Sequence, residues 1–489
     1  MKRMIVRCAL SCLLAVLSGG RMTAHVGSPD VYAEGSAGPY KLFVVVRPPL
    51  VIPGVAEIEV RSSTPGVDRI TAAPIPLTGE ASKHPPVPDA MVKPSGDSQF
   101  FTGHLWIMRP GSWQVRFAVS GNQGSGTLSI PVAATAMGTR QMRTGLGTLL
   151  AGLGILLVLG MVGIVGAAAR EAQTSPGESV SPANRKRAYI AMAIAFSVLV
   201  LCVLLGRNWW NTEAADYASN VYKPLEMHAT LAAGNVLDLQ MIDPGWLRMR
   251  KLDDFVPDHN HLMHLYAIRW PGMGVVFHLH PEMAGTGEFR LALPSMPAGT
   301  YHLYADVVHA NGFPETLVAS VTLPEIRGRA LAGDDAEGTP GANAQASAVY
   351  KLPDGYSMQW KRPPALVAKS PQEFTFQLLD PQGQPAKDMA LYMGMVGHAA
   401  FVKNDGTVFA HIHPAGTIAM AALMMAEAQN GVGDMAGMHM AGMDRSGGST
   451  IPSTVSFPYG FPSAGNYRIF VQMKHGNTVE TAAFDIRAQ

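Results

Sequence analysis

Residues 263–281 read Met263-His-Leu-Tyr-Ala-Ile-Arg-Trp-Pro-Gly-Met-Gly-Val-Val-Phe-His-Leu-His-Pro281, and residues 397–414 repeat them in outline as Gly397-His-Ala-Ala-Phe-Val-Lys-Asn-Asp-Gly-Thr-Val-Phe-Ala-His-Ile-His-Pro414. Each copy is an apolar run, a turn (Trp270-Pro-Gly-Met-Gly274 or Asn404-Asp-Gly406) and a second run ending in His-x-His-Pro. Two short apolar runs flanking a glycine-bearing turn predict a β-hairpin. Each copy then closes on a Gly-x-Tyr strand, Gly299-Thr-Tyr301 or Gly465-Asn-Tyr467, with a histidine, His309 or His475, eight residues beyond the tyrosine. Recurrence of the whole arrangement predicts one domain type used twice.

Working outward, Gly111-Ser-Trp113 opens a third closing hairpin without paired histidines, turning at Gly121-Asn-Gln-Gly124. Short apolar runs punctuated by Pro and Gly, with no long helical period, predict antiparallel sandwiches. The expected fold is therefore three immunoglobulin-like antiparallel β-sandwiches, at 25–137, 222–327 and 350–489, plus two transmembrane α-helices. The last sandwich carries a Met-rich insertion, 416–454. The Gly/Ala/Asp-rich stretch 328–349 is expected to be a flexible linker that uncouples the two copies.

Residues 1–24 have a basic start, an apolar stretch of about ten residues and a small-residue exit, the pattern of a secretory signal peptide. Two longer uncharged runs, 146–169 and 188–206, are each long enough to cross about 30 Å of hydrocarbon. The intervening loop, 170–187, holds Arg170, Arg185, Lys186 and Arg187 against Glu171 and Glu178, which predicts a cytoplasmic loop. Trp209 and Trp210 follow as an interfacial anchor. All the sandwiches then lie outside the cytoplasm, on the periplasmic side of the cell membrane. Only 15% of residues are charged and the net charge is +1, so nucleic acid is not an expected partner. The three cysteines, Cys8, Cys12 and Cys202, all lie in apolar runs, which leaves the sandwiches neither disulfides nor thiolate ligands.

The chemistry is carried by histidine and methionine. Strand alternation puts His278 and His280 on one face, and likewise His411 and His413, with Leu279 and Ile412 turned to the core. Imidazoles two residues apart, about 6.6 Å along a strand, can converge on one metal ion. His264 and His398 on the partner strands supply a third donor each, and His309 and His475 a fourth. Asp258-His259-Asn260-His261 offers an accessory pair, His259 and His261. Neutral imidazoles suit Cu(II), with zinc as the alternative, whereas thioethers favour Cu(I). The insertion's Met435, Met438, His439, Met440 and Met443 form such a thioether-rich set. Cleavage after Ala24 would expose His25 as an N-terminal Cu(II) chelate, with His104 as a further donor. Histidines that are merely structural are the competing account. No G-x-S-x-G, phosphate loop or external cysteine nucleophile points to an enzyme.

At these residues the chain resembles the YtkA-like and FixH-like periplasmic β-sandwich modules. The likeness rests on the Met-His-Leu…Phe-His-Leu-His-Pro stretch and the closing Gly-x-Tyr hairpin, across 225–325 and 360–487. The resemblance implies copper handling or oxidase maturation, with His264, His278, His280, His398, His411 and His413 at the matching positions. The second copy departs from it in Gly397-His398 and in its long insertion. The N-terminal sandwich is similar in outline to CopC-like copper-binding domains, whose mature chain starts with a histidine. The expected function is membrane-anchored, non-enzymatic copper binding or transfer, or copper tolerance. The alternatives are an assembly factor for a membrane complex, docking a membrane or periplasmic protein, and a copper-dependent oxidase.

Overall fold

Period-two burial builds the first sandwich: in Tyr40–Arg47 the side chains of Tyr40, Leu42, Val44 and Val46 are buried while Lys41 is exposed. The computed structural model describes residues 29–172, 174–246, 250–341, 347–363, 365–429 and 450–489. Within it the chain forms two units, Met1–Thr135 with Lys223–Gln489, and Ala136–Tyr222.

The first unit contains three antiparallel sandwiches, each of two sheets. In the N-terminal one, Val31–Ala37, Tyr40–Arg47, Gly54–Ser62 and Phe100–Ile107 form one sheet. Asp89–Ala90, Val67–Pro76, Gly111–Gly121 and Gly124–Ala134 form the other. The first histidine-bearing copy places His264–Trp270 and Val276–Leu279 in a five-stranded sheet that also holds Gly299–Val308 and Pro314–Leu323. The second places Gly397–Lys403 and Phe409–Ile412 beside Gly465–His475. Both expected hairpins form, with Leu265 opposite Leu279 and Ala399 opposite Ile412.

Each closing strand is fixed the same way. Tyr301 Oη donates to the Pro297 carbonyl (2.8 Å), Tyr467 Oη to that of Ser463 (2.7 Å), and Trp113 Nε1 to that of Arg109 (2.9 Å). In all three the third residue of the strand reaches back four positions.

The strands Gly397–Lys403 and Val276–Leu279 are buried along nearly their whole length, because both sheet faces are covered. Leu265, Phe277 and Leu279 face the core of the first copy; Ala399, Phe401 and Ile412 face that of the second. The opposite faces meet each other. Tyr266, Ile268, Val276 and Tyr304 pack against Ala400, Val402, Phe409 and Phe470, with the rings of Tyr304 and Phe409 stacked at 4.4 Å. Arg468 of the second copy donates to the Met273 and Gly341 carbonyls, both at 2.9 Å.

This corrects two expectations. The copies are not independent. Nor is 328–349 simply a linker, since Ala336–Gly338 adds a strand beside Val276–Leu279 and packs close enough that a Cβ on Gly338 would lie 2.7 Å from the Thr481 side chain. The N-terminal sandwich also docks on the second copy: Tyr32 and Val45 join its core, and Thr417 N donates to the Tyr32 carbonyl (2.9 Å).

The second unit is two long apolar helices, Thr144–Glu171 and Pro182–Ser219, each long and apolar enough to cross a membrane. Ser181 caps the second by accepting from Asn184 N (3.1 Å), and Pro182 occupies its first turn. Arg185, Lys186 and Arg187 therefore sit in the helix rather than in the loop. The signal-peptide stretch, His25 and the methionine set Met435, Met438, His439, Met440 and Met443 lie outside the described residues.

Candidate metal centre

Because the histidine faces of both copies turn to their shared junction, eight imidazoles collect there: His259, His261, His264, His278, His280, His398, His411 and His413. They form two triangles. The rings of His264, His278 and His280 are 5.3, 5.0 and 4.9 Å apart by centroid. Those of His259, His398 and His413 are 5.1, 4.9 and 5.1 Å apart. In each triangle three ring nitrogens, one from each histidine, lie within 4.8 Å of one another.

In the first triangle the outer partners determine the tautomers. His264 Nε2 is 2.9 Å from the Asp258 carbonyl, so Nε2 carries the proton and donates. His278 Nδ1 is 2.9 Å from Gln472 Oε1, while the Gln472 amide nitrogen donates to Thr481 Oγ1 at 3.2 Å; with the amide in this orientation His278 Nδ1 donates. His280 Nδ1 faces the Asp335 carboxylate at 3.1 Å and donates to it. Three bare lone pairs remain, on His264 Nδ1, His278 Nε2 and His280 Nε2. The first two stand 3.1 Å apart, and the third has no hydrogen-bond partner. Two lone pairs at that separation repel unless a proton or a metal ion lies between them. Burial, reinforced by the neighbouring imidazoles, holds His264 and His278 well below the ordinary histidine range, so a proton is not there at neutral pH. Imidazole N–H groups anchored on a carbonyl, an amide and a carboxylate are the outer shell that a metal-bound histidine requires.

The second triangle is built by both copies. Asp258 and His261 exchange backbone hydrogen bonds (2.8 and 3.0 Å) across a tight turn whose central residues, His259 and Asn260, both have positive φ, at 49° and 69°. That turn presents His259 to the second copy, where the Met393 backbone hydrogen-bonds its ring. His413 Nδ1 donates to the Ile418 carbonyl (3.2 Å) and leaves Nε2 unpaired; burial drives its pKa down to about 3. His398 is 0% exposed, and neither of its ring nitrogens has a hydrogen-bond partner. Each such buried atom costs about 1–3 kcal/mol if nothing satisfies it.

His411 does not join His398 and His413 as the sequence suggested; His259 takes that place. His411 lies between the triangles, 5.5 Å from His264 and His278, 5.6 Å from His398 and 4.6 Å from His413. Its Nδ1 donates to Asp306 (3.2 Å), whose carboxyl burial pushes up to about 7, and its Nε2 is unpaired. His261 stacks on His280 at 3.8 Å and pairs with Asp334 (3.1 Å).

The expected fourth ligands are elsewhere. His309 is held by Asp254 (2.7 Å) and Glu315 (3.0 Å). His475 lies under Tyr356 between Asp354 (2.9 Å) and Asp388 (3.1 Å), with Glu480 at 3.9 Å. The reason is parity: Tyr301, Leu303, Ala305 and Val307 face the core of their own sandwich, and His309, an even number of residues on, follows them. His475 stands likewise to Tyr467, Ile469, Val471 and Met473. His104 sits exposed on its strand. Sequence reasoning did not find the outer partners Gln472, Asp335 and Asp306; Asp334-Asp335 in the supposed linker was the one visible signal.

Residues 348–489 match the model of a domain of unknown function, DUF8832. No curated protein matches the chain. Among solved structures it is similar to a bacterial ice-binding adhesin involved in host cell surface retention, at 5% identity over 89% of this chain and 90% of that one (TM-score 0.14). The D1–D4 ectodomain fragment of ICAM-5 matches at 8% identity over 92% and 77% (TM-score 0.15). A membrane-anchored protein of Corynebacterium diphtheriae matches at 8% over 94% and 96% (TM-score 0.16).

Proposed function

We propose that the chain is a membrane-anchored, extracytoplasmic, non-enzymatic metal-binding protein that captures or passes on copper at the junction of its two histidine-bearing sandwiches. The observation that carries this reading is the 3.1 Å approach of the buried His264 Nδ1 and His278 Nε2, whose outer ring nitrogens both face acceptors, with the unpaired His280 Nε2 beside them. A three-imidazole set accepts Cu(II) and Zn(II) alike. Copper is favoured by the thioether-rich Met435–Met443 stretch of the same chain and by the likeness to YtkA-like and FixH-like modules. The two tyrosine corners support an immunoglobulin-like topology for the histidine-bearing sandwiches, since a tyrosine reaching back to the backbone in this way is a feature of that fold. The basic residues around 170–187 support placing the helix connection in the cytoplasm and the sandwiches outside.

The test is metal content of the full chain in detergent, stripped with chelator and reloaded with Cu(II) or Zn(II). Retained copper, with an EPR spectrum showing coupling to imidazole nitrogens that His278→Ala weakens, is the expected outcome. A chain that keeps neither metal after desalting would sink the proposal.

A further inference from the structure

The first triangle accounts for one ion. It leaves unexplained a second set of orphaned, buried nitrogens on the other side of His411: His259 Nε2, His413 Nε2 and both nitrogens of His398. The two ring triangles have nearly the same dimensions, with sides of 4.9–5.3 Å in one and 4.9–5.1 Å in the other. Across the gap His259 is 6.1 Å from His264 and His278 is 6.3 Å from His398, so the two sets are neighbours and not remote sites.

We infer that the junction is a two-metal centre: a second divalent transition-metal ion is held by His259 from the first copy with His398 and His413 from the second, and His411 Nε2 is a donor poised between the two ions. This rests on the proposed metal-binding reading and deepens it. Three features make the second set a site and not a packing accident. His398 is wholly buried with neither ring nitrogen hydrogen-bonded, so an ion on one of them would satisfy a lone pair that the protein leaves without a partner. His413 has its N–H anchored on the Ile418 carbonyl, which turns Nε2 inward as a lone pair. His259 is presented by a turn with two consecutive positive-φ residues, a conformation that costs free energy and is kept where a side chain must be aimed. Because the ligands come from both copies, the second ion ties the sandwiches together, while the first draws its ligands from one copy alone.

The experiment is a Cu(II) titration of the chelator-stripped full chain in detergent, reading bound metal per chain and EPR spin count, for the wild type, His259→Asn and His278→Ala. Asparagine tolerates the positive φ at position 259 and offers no imidazole, so the turn survives the change. The wild type should bind two equivalents, with EPR intensity below two spins when both sites are filled, as neighbouring Cu(II) ions couple. His259→Asn should fall to one equivalent with full single-spin intensity, and the apo melting temperature should stay close to that of the wild type. One equivalent in the wild type, unchanged in His259→Asn but lost in His278→Ala, would overturn the inference and leave the metal-binding reading standing. Two equivalents in both the wild type and His259→Asn would overturn the assignment of His259. No bound metal in any chain would remove the metal-binding reading itself.

Discussion

A histidine's place in an alternating strand decides what it can do here. His278 and His280 turn away from Leu279 and so reach the junction, while His309 shares the parity of Tyr301 and turns into its own sandwich. That distinction was legible, because eight residues is an even number and the tyrosine is a core residue. What could not be read was which loop would complete the second triangle, since His259 and His413 are 154 positions apart in a chain without visible pairing. His309 behaves as a salt-bridged residue. Burial alone would lower its pKa, but the hydrogen bonds to Glu315 and Asp254 outweigh this and raise it. A raised folded-state pKa gives stability that is fully present below the unfolded value of about 6.5 and is lost as pH rises through the folded value. His309→Asn should therefore lower the melting temperature more at pH 5.5 than at pH 8.5; an equal loss at both would show that the imidazolium pair contributes nothing. Asp335 acts through His280 by accepting a hydrogen bond from its Nδ1–H. Asp335→Ala should weaken metal binding by about 10–100-fold in a chelator competition, with unchanged circular dichroism. Undiminished affinity would mean that His280 needs no such anchor.

At the scale of elements, the hairpins, the closing strands and the two long helices all follow from local pattern, because a turn glycine or an uncharged run determines them without long-range help. The strand Ala336–Gly338 does not: three residues in a Gly/Ala/Asp-rich stretch carry no periodicity, and only the edge of Val276–Leu279 makes them a strand. Gly416 is a similar case. It has φ +120°, and a Cβ there would lie 1.9 Å from the Tyr32 carbonyl oxygen, at the seam between the N-terminal sandwich and the second copy. Gly416→Ala should cost about 1–3 kcal/mol from the backbone conformation alone, seen as a lower denaturation midpoint. A neutral result would mean that the seam opens without affecting the fold. The helices carry the topology prediction. Glu178 lies in the segment between them and is exposed. A cysteine placed there, with Cys202 replaced by serine, should escape an impermeant maleimide in intact cells and react once the membrane is opened. Labelling in intact cells would invert the orientation proposed above.

For the sandwich unit as a whole, the junction is a store of buried neutral imidazoles facing one another, and this sets how the protein responds to acid. His264, His278, His398 and His411 have pKa values pushed well below the ordinary range, first by burial and then by neighbouring histidines. A depressed folded-state pKa means that the unfolded chain binds protons before the folded one does. Stability from these groups is thus fully present above the unfolded histidine value of about 6.5 and is lost as pH falls below it. This is the opposite sign to His309, and His259, His280 and His413 of the same junction shift in the same direction as these four. The chelator-treated chain should therefore melt progressively lower from pH 7 to pH 5. Bound metal occupies the lone pairs that protons would take, so the loaded chain should hold its melting temperature to a lower pH. Because Tyr304, Phe409 and Phe470 close the same junction, both sandwiches should respond in one transition. Two separate transitions, or an apo melting temperature that does not change between pH 7 and pH 5, would show that the imidazoles are not held neutral at a shared, dry interface. The case for metal at that interface would then have to stand on titration alone.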